Sequence, residues 1–221
     1  MDKHYRLMQQ SAALAVECME YISNYLVKDV TEISLAKRIR KWFKLHGANK
    51  VSFAPIVAFG KNASEPHHKP NRTKLTSKDI VVIDIGCVYK GWCSDITRTF
   101  LPIKPTKEQL KVYKIVLLAN QTAIAKAKVG MKAYELDKVC RDIINKNKYG
   151  KYFIHSTGHG IGKVVHEQPK IGINDSTVLK NNMFFTIEPG IYLPTKFGIR
   201  IEDTVCFKNN KLVVLTKAMK K

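Results

Sequence analysis

The chain has 221 residues, a length that fits one large domain or at most two small ones. Its composition, 45% hydrophobic and 25% charged, is that of a globular protein, and no apolar run approaches the roughly 18 residues that predict a membrane span. The net charge of +20 favours weak nonspecific attraction to polyanions. No RNP, zinc-finger or clear helix-turn-helix motif predicts a specific nucleic-acid partner.

The N-terminal segment and the cysteines both bear on location. Residues 1–29 lack the basic start, apolar middle and small-residue cleavage site of a signal peptide, so a cytoplasmic location is predicted by default. The number of cysteines is odd and no CxxC pair occurs, which predicts reduced core thiols rather than disulfides or a zinc site. These cysteines are Cys18, Cys87, Cys93, Cys140 and Cys206.

The first half of the chain passes from helices to strands. Apolar residues at helical spacing predict a helix over 3–27, and a second helix is predicted to begin after Thr31 and to stop at Gly47. The run VSFAPIVAFG predicts one strand, and a polar loop over 62–79 follows it. IVVIDIG then predicts a buried strand whose partner runs through SDITRTF.

The second half of the chain has the same order of elements. Thr106 and Gln109 form a capping box, which predicts the start of a helix that runs to about residue 128 before Gly130. A further helix is predicted over 133–147, and short strands and turns fill the remainder. Helix, helix and strands therefore occur twice, which gives weak support for two similar halves that face each other.

Two acidic residues flank the first predicted hairpin. Asp84 and Asp95 lie in IVVIDIGCVYKGWCSDITRTF, on either side of a predicted two-residue turn at 89–90. In an antiparallel pair this turn would place the two carboxylates directly opposite each other, on one face of the sheet. The apolar neighbours of Asp84 indicate that it is buried.

A second acidic pair is arranged in the same way. Glu188 and Glu202 lie in FFTIEPGIYLPTKFGIRIEDTV, and a three-residue turn at 194–196 would place them directly opposite each other. Each half of the chain would then bring one pair of carboxylates to a shared centre.

Carboxylates on one face of a sheet repel each other unless a cation or a shared proton neutralises them. Four carboxylates and one imidazole favour two divalent ions of Mn²⁺, Co²⁺, Fe²⁺ or Zn²⁺ over Ca²⁺. Such a pair of ions can hold a bridging hydroxide as nucleophile and polarise a carbonyl group. The alternative is four structural carboxylates, each satisfied by lysines or backbone donors.

Histidines add to this constellation. His155, His159 and His166 lie within FIHSTGHGIGKVVHEQP, and the glycines beside His159 would let its ring approach a ligand. His155 and His166 could donate hydrogen bonds to a substrate or to a tetrahedral oxyanion. His67 and His68 lie in the polar loop before the Asp-bearing strand; one is predicted to reach the same pocket and the other to be solvated.

These strings resemble the pita-bread metallopeptidases, which include methionine aminopeptidases, aminopeptidase P and prolidase. The resemblance runs from about residue 3 to 215 and rests on IVAFGKNASEPHHKP, VVIDIGCVYKGWCSDITRTF, HSTGHGIGKVVHEQP, FFTIEPGIYLP and GIRIEDTV. SDITRTF, IEPGIY and GIRIED are more similar to the Xaa-Pro peptidase branch. The resemblance implies an α+β pita-bread (creatinase/aminopeptidase) fold, with two pseudo-symmetric helix-helix-strand halves around a curved antiparallel sheet.

The resemblance also implies a role for each acidic residue. Asp84 would chelate one metal ion, and Asp95 and Glu202 would bridge both ions. His159 and Glu188 would complete the shell of the other ion.

Further residues match the catalytic positions of the family. Glu188 would serve as the proton shuttle. His67 matches the catalytic histidine by its spacing to the first aspartate, and His68 is the less favoured choice. His155 and His166 match histidines on the substrate side that stabilise the transition state, and Arg200 matches an arginine that orients the site.

The expected activity is removal of the N-terminal residue from short peptides that have proline in second position, by an Xaa-Pro aminopeptidase or dipeptidase. Residues 1–221 would form a single catalytic domain without the additional N-terminal domain of Xaa-Pro peptidases, which leaves a homodimer open. Neither a membrane nor a specific nucleic acid is an expected partner. The alternatives are a methionine aminopeptidase-like activity and a non-catalytic pita-bread module that binds a peptide or nucleic acid.

Overall fold

A computed structural model describes residues 2–217, which form two helix pairs, each followed by antiparallel strands. The helices are α1 (Asp2–Ser23), α2 (Glu32–Leu45), α3 (Lys107–Lys126) and α4 (Ala133–Lys146), with short 3-10 turns at Gly60–Ser64 and Gly150–Tyr152. The strands are β1 (Lys50–Val51), β2 (Ile56–Phe59), β3 (Val81–Ile85), β4 (Cys87–Tyr89), β5 (Trp92–Cys93), β6 (Ile96–Phe100), β7 (Gly158–Gly160), β8 (Glu167–Ile171), β9 (Phe184–Ile187), β10 (Gly190–Leu193), β11 (Phe197–Arg200), β12 (Asp203–Lys208) and β13 (Lys211–Val214).

Local sequence fixes most helix ends. The hydroxyl of Thr31 caps α2 by accepting from the backbone N–H of Ser34, and Gly47 follows the helix with φ of 83°, a conformation that glycine adopts without strain. The capping box of Thr106 and Gln109 is present at the start of α3, as predicted. α1 is shorter than predicted and ends at Ser23.

The run VSFAPIVAFG forms two strands, so the prediction of one strand was wrong. β1 pairs with β4, whereas β2 pairs with β3 in another sheet. Pro55 lies between the two strands and has no N–H to donate to a ladder, which explains why the pairing breaks there.

The strands of residues 2–217 form four antiparallel groups. β2-β3-β6 and β1-β4-β5 belong to the first half of the chain, and β10-β11 and β13-β12-β9-β7-β8 belong to the second. Helix α1 packs on α2 and helix α3 packs on α4. The predicted order of helix, helix and strands is therefore present in each half.

Strand β3 connects the two halves because its faces belong to different cores. Val81, Ile83 and Ile85 pack into a cluster with α1 and α2, whereas Val82 packs into a cluster with α3, α4 and the strands of the second half. Side chains alternate along a strand, so Asp84 lies on the same face as Val82 and points between the halves.

All of the cysteines are free and buried, as predicted for core thiols. Within residues 2–217, no helix has the length and apolarity needed to cross a bilayer.

The glycines beside His159 are required by close backbone packing. A Cβ at Gly158 would lie 2.0 Å from the carbonyl oxygen of Thr186 on β9, so Gly158→Ala is expected to reduce the free energy of unfolding by at least about 1–3 kcal/mol. Gly172→Ala is the matched control, because its Cβ would meet side-chain atoms alone, the nearest being the hydroxyl oxygen of Ser156 at 3.1 Å. Urea unfolding of the metal-free proteins measures both, and equal midpoints for the two variants would contradict this steric argument.

Candidate metal centre

The second hairpin places two glutamates opposite each other. β10 and β11 pair with Gly190 opposite Arg200, and the same register continues in β9 and β12, where Ile187 is opposite Asp203. Glu188 and Glu202 fall between these pairs in that register. The predicted turn and register of this hairpin are therefore confirmed.

The first hairpin has a different register from the one predicted. Asp84 is opposite Thr97, not Asp95, and the turn lies at Lys90 and Gly91 instead of 89–90. Both turn residues have positive φ, 48° and 81°, as in the type I′ turns that suit two-residue hairpins. Asp95 lies two residues from Thr97, so it shares a face with Asp84 as a diagonal neighbour.

Ligand atoms from both halves of the chain converge at one point. Atoms of Asp95, His159 and Glu202 lie within 4.8 Å of one another. His159 Nε2 lies 3.3 Å from Oε1 of Glu188 and 3.7 Å from Oδ2 of Asp95. His159 Nδ1 lies 3.0 Å from the carbonyl oxygen of Gly160; donation there leaves Nε2 as the unprotonated nitrogen that a metal ion would use.

Arg200 links Asp84, the remaining acidic residue, to the other groups of the centre by hydrogen bonds. Its Nη2 donates to Oδ2 of Asp84 at 2.7 Å, and its Nε donates to the hydroxyl of Thr97 at 3.1 Å. Its Nη1 donates to the hydroxyl of Tyr192 at 2.7 Å and to the carbonyl oxygen of Pro66 at 3.1 Å. Arg200 therefore orients groups from three parts of the chain.

Tyr192 is a site residue that sequence reasoning missed. Its ring lies over Gly190 and Gly198, where a Cβ would come within 2.6–2.8 Å of it. Gly190 is opposite Arg200 and Tyr192 is opposite Gly198, and alternate residues along a strand share a face. Residues 188, 190, 192, 198 and 200 therefore lie on one face of the hairpin. The correctly predicted register was the signal that could have identified Tyr192.

Hydroxyl groups hold the glutamates in place. Thr97 donates to Oε2 of Glu202 at 2.7 Å, and Thr186 donates to Oε1 of Glu188 at 2.9 Å. Behind this layer, Arg98 is buried and donates to the backbone carbonyl of Glu202 and to the carboxylate of Asp203. These donors orient the acids of the centre, but they cannot neutralise all of the negative charge of the carboxylates.

Burial and the closeness of the other carboxylates make these carboxyl groups hold protons in the absence of a metal ion. Burial, then the neighbouring carboxylates of Glu202, Asp84 and Glu188, raise the pKa of Asp95 well above its ordinary value. Burial and the same kind of repulsion raise the pKa of Glu202. Burial raises the pKa of Glu188 from 4.5 to about 7.

The two flanking histidines differ in their freedom to bind a substrate. His155 has both ring nitrogens engaged, Nδ1 at 2.8 Å from the carbonyl oxygen of Ser156 and Nε2 at 2.9 Å from the hydroxyl of Tyr192. Burial lowers the pKa of His155 to about 3, so the ring is neutral and accepts from the tyrosine. In this arrangement it has no nitrogen free for an oxyanion, unlike the prediction. His166 is exposed and lies edge-on to His159, with ring centroids 4.4 Å apart.

The histidines of the loop also differ from each other. His67 is exposed, and it lies close enough to His155 for its charge to act there, after burial and Arg200, in lowering the pKa of His155. His68 is buried, and its Nε2 lies 2.8 Å from Oε2 of Glu32. The prediction that the second histidine is solvated was therefore wrong; a buried carboxylate on α2 holds it inside.

The donor set fits divalent metal ions. Oδ1 of Asp84 and Oδ1 of Asp95 are buried and have no hydrogen-bond partner among the described residues. A buried carboxylate oxygen without a donor is costly, and a cation between the acids would satisfy both atoms at once. Oxygen ligands with one imidazole nitrogen are typical of metal ions with borderline or hard character.

The raised pKa values predict how stability responds to pH and metal. The folded metal-free protein binds protons more tightly than the unfolded chain, so its free energy of unfolding should fall as pH rises from the ordinary glutamate value of 4.5 through about 7. A divalent cation replaces those protons. The rise in melting temperature on adding Mn²⁺ should therefore be larger at about pH 8 than at about pH 5. Thermal melts with metal and with chelator measure this, and an equal rise at both values would contradict it.

The described residues form a cluster that could hold a metal ion, and comparison with known proteins identifies the family. The model of the metallopeptidase family M24 matches residues 6–209. The chain is 40% identical over 211 residues to the Xaa-Pro dipeptidase of Pyrococcus furiosus, which covers 96% of this chain and 61% of that protein. It is 46% identical over 197 residues to a putative Xaa-Pro aminopeptidase of Mycoplasma pneumoniae, which covers 88% and 56% respectively.

Solved structures give the same result. The prolidase of Pyrococcus furiosus superposes with a TM-score of 0.97 at 39% identity, over 100% of this chain and 65% of that chain. The X-Pro aminopeptidase of Thermotoga maritima superposes with a TM-score of 0.96 at 35% identity, over 100% and 63%.

The chain therefore belongs to metallopeptidase family M24 and has the pita-bread fold of prolidase and aminopeptidase P. Membership of this family implies divalent metal ions. The chain spans between 56% and 61% of the length of the curated relatives it matches.

Proposed function

We propose that this chain is a metal-dependent peptidase that removes the N-terminal residue from peptides with proline in second position. The observation that carries the proposal is the convergence of Asp95, His159 and Glu202 within 4.8 Å, beside Glu188 and a buried Asp84. The preference for proline is supported by relatives named as Xaa-Pro peptidases.

The same residues would hold the cofactor. Asp84, Asp95, His159, Glu188 and Glu202 would bind two divalent ions, Mn²⁺ or Co²⁺ before Zn²⁺ or Fe²⁺. When bound, these ions would supply Lewis acidity toward a scissile carbonyl and toward the attacking water.

Glu188 is the proton carrier in this proposal. Its side chain is 16% exposed, so it can reach a water molecule and a substrate, and a carboxylate can carry a proton between them. Thr186 donates to Oε1, so Oε2 is the oxygen that takes a proton from water and passes it to the leaving proline nitrogen.

Other side chains bind and orient the substrate. His166 is exposed beside His159, and His67 is exposed next to Pro66, whose carbonyl oxygen accepts from Arg200; each histidine can donate to a substrate carbonyl group. Arg200 and Tyr192 hold the neutral ring of His155 at the edge of the site and keep Asp84 in place.

The remaining expectations are proposals of the same standing. We propose that residues 1–221 act as one catalytic domain on short proline-containing peptides. The homodimer and the cytoplasmic location stay predictions, and so does the absence of a specific nucleic-acid partner.

A hydrolysis assay tests the proposal. The chain, loaded with Mn²⁺ or Co²⁺, is offered an Xaa-Pro dipeptide, an Xaa-Pro tripeptide and a Met-Ala tripeptide, with a chelator as control. We expect chelator-sensitive cleavage of the proline peptides alone, and the preferred length assigns the dipeptidase or the aminopeptidase activity.

Two results would overturn the proposal. Cleavage of Met-Ala alone would move the chain to the methionine aminopeptidase branch. Stoichiometric metal binding measured by calorimetry without cleavage of any peptide would indicate a non-catalytic pita-bread module.

A further inference from the structure

A buried carboxylate on α2 lies at the centre of the loop that carries His67. Glu32 is 0% exposed, and each of its oxygens accepts two hydrogen bonds. Oε1 accepts from the backbone N–H of Phe59 at 2.8 Å and from Asn62 Nδ2 at 2.9 Å. Oε2 accepts from His68 Nε2 at 2.8 Å and from the backbone N–H of Asn71 at 3.0 Å.

We call residues 60–73 the His67 loop. Oε1 of Glu32 is bound by the last residue of β2 and by Asn62 near the entry of this loop, and Oε2 is bound by His68 within the loop and by Asn71 near its exit. The backbone of α2 closes the loop further, because the N–H of Glu32 donates to Thr73 O at 3.2 Å and the N–H of Ile33 donates to Asn71 O at 3.0 Å. A buried carboxylate is costly unless its oxygens are satisfied, so the four donors are held to it strongly.

His67 lies between two fixed points of this loop. On one side, the carbonyl oxygen of Pro66 accepts from Nη1 of Arg200 at 3.1 Å. On the other side, the ring of His68 is fixed to Glu32. The backbone on either side of His67 is thus anchored to a buried cation of the metal centre and to a buried anion of α2.

We propose that Glu32 and His68 are positioning residues that hold His67 against the metal centre. The proposal rests on the proposed function, in which His67 binds substrate. A displacement of about 1 Å at such a group can cost on the order of 10²-fold in rate. The alternative is a purely structural role, in which Glu32 and His68 stabilise the loop without any effect on His67.

Two matched variants of His68 separate these alternatives. His68→Leu removes the donor to Glu32, whereas His68→Gln keeps a nitrogen donor at the same number of bonds from the backbone. We expect His68→Leu to lower kcat/KM on an Xaa-Pro peptide by roughly 10- to 100-fold and His68→Gln to stay within about 3-fold of the wild type. Glu65→Gln tests the other contact of His68, because the exposed Glu65 lies 3.3 Å from His68 Nδ1; a loss equal to that of His68→Leu would assign the effect to this contact and overturn the role of Glu32.

A second background tests whether the effect passes through His67. In His67→Ala protein, His68→Leu should change kcat/KM by less than about 2-fold, because residues that act as a unit are not additive. An equal loss in both backgrounds, or no loss in either, would overturn the proposal. Glu32→Gln is measured in the same cycle, and melting temperatures show which variants are folded at the assay temperature.

NMR spectroscopy of the histidine rings tests the inference without a measurement of activity. In protein loaded with diamagnetic Zn²⁺ and labelled with ¹⁵N-histidine, the ring signals of His67 are those that His67→Ala removes. We expect these signals to shift or broaden in His68→Leu and to be retained in His68→Gln. Unchanged His67 signals in His68→Leu would overturn the positioning role. If the wild type cleaves no peptide, the proposed function fails and this reading still decides the role of Glu32 and His68.

Discussion

The variant Glu188→Gln is expected to lose turnover of Xaa-Pro peptides by roughly 10³-fold or more while it keeps part of its bound metal. The amide has a similar shape but cannot take a proton, and general acid–base catalysis contributes about 10²–10⁴-fold. Loss of one ligand weakens metal binding, but part of the metal stays bound because four other ligands remain. Steady-state kinetics together with metal analysis of the dialysed protein measure the two effects separately.

Glu20→Gln is the control for this variant, because it makes the same chemical change on the exposed face of α1. Its kcat should equal that of the wild type. A kcat near the wild-type value in Glu188→Gln would refute both the proton-carrying role and the ligand role of Glu188.

Replacing Arg200 with leucine is expected to reduce the free energy of unfolding of the metal-free protein by roughly 3–5 kcal/mol, because removal of one partner leaves a buried charge without compensation. The side chains of Arg200 and Asp84 are 4% and 12% exposed, so water cannot replace the lost donor well. Tyr192, Thr97 and Pro66 lose a donor in the same variant.

Urea unfolding measures this loss, and Arg40→Leu is the control because Arg40 is exposed on α2. A surface change of this kind should stay within about 0.5 kcal/mol. A loss of less than about 1 kcal/mol in Arg200→Leu would contradict the argument that this buried pair contributes to the stability of the metal-free protein.

The second carboxylate pair could be predicted from sequence because local chemistry fixes its register. A three-residue turn at 194–196 leaves one alignment for the strands on either side, and that alignment places Glu188 and Glu202 opposite each other. The same reasoning gave a wrong register for the first pair because the turn that places the two aspartates opposite each other, at 89–90, is not the turn that forms. The Lys-Gly dipeptide at 90–91, with positive φ at both residues, was the stronger signal.

Residues that act at long range were not predictable in this way. Glu32 contacts groups 27 to 39 positions later in the chain, and nothing local in its sequence indicates that its carboxylate is buried. His68 was expected in solvent because the loop around it is polar. Its burial depends on that same distant carboxylate, so the error follows from a contact that only the tertiary fold creates.

The division of the centre between the halves has a consequence for ancestry. Asp84 on β3 and Asp95 just before β6 come from the first half of the chain, whereas His159, Glu188 and Glu202 come from the second half. Neither half carries all five of the proposed ligands. If the two halves arose by gene duplication, the undivided ancestor could have formed such a centre only between two copies of itself, and fusion of the copies then allowed each half to specialise its own residues.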